Sequence, residues 1–330
     1  MSKSLETKRR VTQFSTPVGL IAAVFAGMFA PAQGRVNGAL STALGDGMPA
    51  ALISFVTGLV AVSLVLVLTR SGRESMRELP TMIREKTFPW WYMLAGLIGA
   101  YYVLAQTITV PIVGVALFTV ANIAGRTVSG LLTDSTGFAG GDKRSITLLQ
   151  ILGSLLAIIG VIWAVWPSLI SHGASTEWLL PILFPISAGF FFAFQHAMNG
   201  TQTKYYGTPI PATFFNFASG TMALGVVVLI STLVEPVPGH FPSEWWMYTG
   251  GLLGAVFIAV SAVLVRYMGT LLTGLGFLAG QLLGSIALDL LVPVEGSSVT
   301  FYTISGTFLT LVAVIVASLP SKARTTRQKR

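Results

Sequence analysis

Apolar runs of about 20 residues recur along the whole chain, at 17–39, 49–69, 89–107, 110–133, 146–168, 179–200, 211–234, 245–265, 269–291 and 300–319. A helix of that length crosses the hydrocarbon core of a bilayer. The pattern predicts an all-α integral membrane protein of ten transmembrane helices, with no separate soluble domain. Residues 1–16 and 321–330 are polar and basic and read as cytoplasmic ends, a disordered arm and a tail. The first span ends in Ala30-Pro31-Ala32, which has the form of a signal-peptide cleavage site. The same segment recurs in mid-chain, where no signal peptide acts, so the span is read as a retained helix with Pro31 as a kink.

That recurrence is the strongest organising feature. Residues 27–38 read GMFAPAQGRVNG and residues 189–200 read GFFFAFQHAMNG. A shift of 162 residues aligns Gly27 with Gly189, Gln33 with Gln195, Asn37 with Asn199 and Gly38 with Gly200. It continues without a gap through Pro49 and Pro211, Phe55 and Phe217, and Gly58 and Gly220. Farther on, a shift of 155 aligns Trp90-Trp91 with Trp245-Trp246, Gly114 with Gly269, Gly125 with Gly280 and Asp134 with Asp289. The chain thus divides into two five-helix repeats, 17–168 and 179–320. Five is odd, so the second repeat enters the membrane from the opposite side, giving an inverted repeat of the kind secondary transporters use.

Charge supports the same topology. The chain has 330 residues, 53% hydrophobic and 10% charged, with mean hydropathy +0.76. With the N-terminus inside, the cytoplasmic segments hold 18 of the 20 Lys and Arg residues. The outside loops carry none, and hold Asp46, Glu177, Glu235, Glu244 and Glu295 instead. This is the positive-inside distribution. It makes the net charge of +8 a matter of topology and anionic lipid, not of nucleic acid. The absence of cysteine excludes disulfides and thiolate metal sites. Residues 70–88 form a charged connector in which Met76, Leu79 and Ile83 share one helical face. It reads equally as a helix on the membrane surface or as a solvated loop.

The remaining arginines, Arg35 and Arg126, lie inside spans, where a charge is costly unless paired or hydrated. Arg35 sits in the outer third of its helix, within snorkelling reach of the surface. Arg126 follows Asn122 by one turn and aligns with Gln281. It is expected to line the pathway, or else to snorkel inward or pair with Asp134 or Asp142. Gln33 and Asn37, and again Gln195 and Asn199, are four residues apart and so share a helix face. Interhelical hydrogen bonding alone explains any one of them. Their repetition flanking the midplane marks them as substrate contacts, with Asn216 on the adjacent span and His196 nearby as a hydrogen-bonding partner. Asp134 and Asp289 close spans four and nine and are candidates for gating or proton coupling, or are interfacial carboxylates in water. The small-residue rows Ala121, Gly125, Ser129 and Gly276, Gly280, Gly284 predict close packing near the internal axis. Spans five and ten carry no strongly polar centre and read as scaffold or as a contact with a second copy. No nucleotide-binding, metalloprotease or serine-hydrolase motif is present, so the reading is not an enzyme and calls for no cofactor or metal.

The face bearing Gln33 and Asn37, followed by Pro49-Ala-Ala-Leu-Ile-Ser-Phe-Val-Thr-Gly58, resembles the YdcZ family of the drug/metabolite transporter superfamily, and the copy from Gln195 to Gly220 does the same. Members often have one five-span unit, and this chain resembles the fused two-unit form. The resemblance implies a transporter of the bacterial cytoplasmic membrane, described as an exporter. It also implies a glutamine near the centre of the fourth span and an aspartate after it. Gln281 and Asp289 fit that pattern, whereas Arg126 departs from it with Asp134 retained.

The expected function is secondary transport of a small organic metabolite by alternating access. Gln33, Asn37, Asn122, Arg126, Gln195, Asn199, Asn216 and Gln281 are the expected substrate contacts. The only deep charges are basic, which points to an anionic or zwitterionic substrate. The expected partners are that substrate and membrane lipid, with room for a homodimer. A lipid-carrier flippase and a non-transporting membrane scaffold are the other two readings.

Overall fold

A computed structural model describes residues 16–140, 143, 145–172, 176–233, 240–293 and 299–319. The basic arm before Thr16 and the tail 321–330 lie outside these residues, as do Asp142, Arg144, Glu235 and Glu295. The described chain is helical throughout, with eight helices long and apolar enough to span a bilayer by length and composition.

The first span is two helices, α1 (Thr16–Gly27) and α2 (Phe29–Leu44), broken at Met28. Pro31 lacks the N–H that would have bonded the Gly27 carbonyl, so the helix yields one turn before it. α2 runs to Gly45, farther than the apolar pattern indicates, and ends there with φ 69°, a left-handed cap that glycine supplies without strain. Asp46 starts α3 (Gly47–Leu68), accepting the Met48 N–H at 2.8 Å. The connector is a helix, α4 (Arg70–Arg84), begun by Thr69 accepting the Gly72 N–H at 3.1 Å. Its Leu79 and Met82 pack beside Phe88, Tyr92 and Tyr206.

Two long elements follow this logic less simply. α5 (Gly96–Thr136) joins two helices across Gly114, whose φ of 80° and ψ of 169° leave helical space. In a straight helix Tyr102 and Phe118 would be about 24 Å apart. Their ring centroids are 5.7 Å apart, so the chain folds back on itself. The hydropathy pattern puts this turn at 108–109, but apolar residues run straight through it and only the glycine conformation marks the real place. α9 (Gly250–Leu291) also reverses, since Phe257 and Phe277, about 30 Å apart in a straight helix, have ring centroids 5.2 Å apart. The other helices are α6 (Leu148–His172), α7 (Thr176–Tyr206), α8 (Ile210–Ser231) and α10 (Phe301–Ser318).

The repeats pack by reciprocal contacts. A β-carbon on Gly125 would overlap the Ile186 carbonyl of α7, and one on Gly189 the Asn122 carbonyl of α5. At equivalent places, a β-carbon on Gly280 would overlap the Val24 carbonyl of α1, and one on Gly27 the Phe277 carbonyl of α9. The small-residue rows thus receive α7 and α1 rather than each other, because a bare backbone is what lets a second helix approach so closely. Phe55 and Phe217, equivalent by sequence, meet with ring centroids 5.3 Å apart. α6 packs on α10 through Gly153, Gly160 and Gly306. The outward faces carry exposed apolar side chains such as Leu64, Ile159 and Leu229, as lipid requires, and Trp90 and Trp245 stand exposed at the span ends.

Candidate functional site

Among the expected contacts, Arg126 lines a cavity. The cavity holds about 310 Å³ and lies between the second half of α5, α7, α9 and α10. Thr127, His196 and Ser318 give it polar atoms, and Ile123, Leu278 and Val314 give it apolar walls. The guanidinium sits over the Phe192 ring, 4.7 Å from its centroid, and donates to Gln281 Oε1 at 3.4 Å. An arginine has five N–H donors, and these two contacts leave most of them for other acceptors. Among the described residues no carboxylate pairs with it. The expected alternative, pairing with Asp134, does not occur. The Tyr102 ring lies tilted against Phe192 with centroids 5.0 Å apart, and His196 packs edge-on against the same ring at 4.5 Å, so both lie within the field of the Arg126 charge.

α10 contributes Val314, Ala317 and Ser318 to the cavity wall, although its sequence reads as scaffold. Gly306 and Ala313 press one side of α10 against α6, which leaves the next face free to line the cavity.

Asn37, Gln195 and Asn199 of the Gln–Asn faces are held in hydrogen-bonded clusters instead. Asn37 is fully buried and donates to Gln106 Oε1 at 2.9 Å. Gln195 donates to Asn216 Oδ1 at 2.8 Å, and Asn216 donates to Asn199 Oδ1 at 2.7 Å and to the Ala212 carbonyl at 2.8 Å. Gln33 is half-buried against Gly254, and its equivalent Gln195 is buried against Gly99. Asn122 is buried and donates to the Pro185 carbonyl at 3.3 Å, which fastens α5 to α7. A buried amide without partners costs about 1–3 kcal/mol, which explains why these groups find each other. Two acceptors, Asn37 Oδ1 and Gln195 Oε1, are buried without a hydrogen-bond partner.

The two carboxylates differ. Asp289 is buried and accepts the Val115 N–H at 3.0 Å and the Ala116 N–H at 2.7 Å. These are the first free N–H groups of the helix after Gly114, so Asp289 caps it from across the repeat boundary. Arg35 donates to the Val292 carbonyl at the end of α9, beside the same carboxylate. Asp134 is half-buried near the end of α5. Sequence reasoning did not single out Gln106, Tyr102 or Phe192. A lone glutamine in an apolar span was the available signal for Gln106. An aromatic in an aromatic-rich membrane protein gives none.

The family described as "Putative inner membrane exporter, YdcZ" matches residues 18–163 and again residues 180–316. No curated protein matches the chain. The two matches fall on the two repeats, cover most of the sequence, and coincide with a multi-pass helical membrane fold, so the chain belongs to the YdcZ family of the inner membrane.

Proposed function

We propose that the chain exports a small anionic or zwitterionic metabolite by alternating access, through ten spans arranged as two inverted five-helix repeats. The observation that carries this is Arg126, a charge at membrane depth, on a cavity, with no carboxylate beside it among the described residues. Such a charge costs several kcal/mol and is kept where a substrate or water compensates it. Counting the reversals in α5 and α9 as separate spans brings the number to ten. The reciprocal glycine contacts support two-fold-related repeats. Equivalent residues touch each other at Phe55–Phe217 and Arg126–Gln281, as they do on a two-fold axis.

The basic segments favour cytoplasmic termini. That orientation turns the end of α10, with Ala317 and Ser318 on the cavity, toward the cytoplasm. The Asp289 cap and the Arg35 contact then close the opposite end, which fits an inward-facing exporter. Proteoliposomes loaded with the low-molecular-weight fraction of a bacterial cytoplasmic extract test the reading. Mass spectrometry of the medium is expected to find anionic or zwitterionic species released faster than from protein-free liposomes, with release lost in Arg126→Gln. Release equal to protein-free liposomes would overturn it.

A further inference from the structure

We infer that the cavity selects a monocarboxylate with an apolar body, over amino acids, dicarboxylates and cations. This inference rests on the cavity being the transport site.

Three features of the lining carry it. Arg126 supplies the one full charge among the lining residues, and its planar fork matches a single carboxylate. The guanidinium packs over the Phe192 ring and donates to Gln281, and these two contacts orient it before a ligand arrives. Among the described residues the lining contains no aspartate or glutamate, so the ammonium of an amino acid would be desolvated with no anion to receive it. A second carboxylate would meet Thr127, His196 or Ser318, none of which offers a fixed positive charge to match Arg126. The remaining walls, Ile123, Ala193, Leu278, Val314 and Ala317, suit a branched or aromatic hydrocarbon. A volume of about 310 Å³ is at the small end for ligand pockets and sets the size of that body.

The test is thermal unfolding and titration of the purified full chain in detergent with 3-phenylpropanoate and 4-methylpentanoate. The comparison ligands are 3-phenylpropanamide, phenylalanine and succinate. At least one of the two acids is expected to raise the melting temperature, and to bind about tenfold or more tightly than the amide, phenylalanine or succinate. Arg126→Gln is expected to lose that shift while Arg126→Lys keeps part of it. The acid-against-amide comparison needs only the unaltered protein, so a poorly folding variant does not blunt it. No shift from either acid, or equal binding of acid and amide, would overturn the inference, as would tighter binding of phenylalanine or succinate. Extract release from proteoliposomes separates the two claims. If release persists but favours zwitterions or dianions, the selectivity is wrong and transport stands. If nothing is released, the transport reading itself fails.

Discussion

Arg126 and Gln281 occupy equivalent positions in the two repeats and hydrogen-bond to each other, yet their surroundings differ. Arg126 opens on the cavity and rests on Phe192, whereas Gln281 is buried behind it. Around them the backbone repeats closely: Gly125 and Gly189 lie against carbonyls of the opposite helix, and Gly280 and Gly27 do the same. Duplication therefore accounts for the framework, and at this pair of positions the charge is present in one repeat alone. The polar clusters diverge in the same way. Asn37 is closed by Gln106 from α5, while Asn199 and Gln195 are closed by Asn216 from the neighbouring α8. Position 106 corresponds to Ser261 and position 216 to Ser54, so each repeat has kept a long amide at a place where the other has a serine.

The shared framework is the easiest part to break. Leucine at Gly125 or at Gly280 has no room beside the facing carbonyl, and each substitution is expected to cost more than about 3 kcal/mol. Both variants should fail to give a monodisperse peak in fluorescence-detected size-exclusion chromatography. Tolerance of one and not the other would show that the repeats do not share the contact.

The carboxylates come next. Asp289→Ala removes the acceptor for two N–H groups and is expected to lower stability by about 1–3 kcal/mol in thermal unfolding. Asp134→Ala, at the half-buried equivalent, is expected to cost less than about 1 kcal/mol. Equal costs would contradict the asymmetry of the two ends. Asn37→Ala strands Gln106 and is expected to cost about 1–2 kcal/mol, with a coupling of about 1 kcal/mol to Gln106→Ala in a double-mutant cycle. The same cycle between Asn37 and Gln195 should give a coupling near zero, because each belongs to a different cluster.

Much of this organisation was legible in the residues. The length of the apolar runs indicated the spans, because a bilayer fixes it. Self-alignment gave the repeats, and glycine rows gave the close approaches. The partners of those rows were not legible, since small residues say that something comes near without saying which helix. The reversal at Gly114 was displaced by several residues because hydropathy does not change across it. The Gln–Asn face stood out as polar groups within apolar sequence. Which side chains those groups meet depends on what the neighbouring spans present, here Gln106 and Asn216. Asp289 was visible as a terminal carboxylate. Its cap on a helix 174 residues away is a tertiary contact that no local pattern encodes.

The central claim is that Arg126 serves a substrate and not the fold. The direct test is Arg126→Gln, which makes position 126 match position 281, measured for thermal stability and for release of anionic or zwitterionic species from extract-loaded proteoliposomes in the same preparation. Removing a half-buried charge that pairs with no carboxylate among the described residues should leave stability unchanged within about 1 kcal/mol or raise it, because its desolvation cost disappears. The account predicts that release is nonetheless lost. Release at the unaltered rate, or a collapse in stability that accounts for the loss, would contradict it.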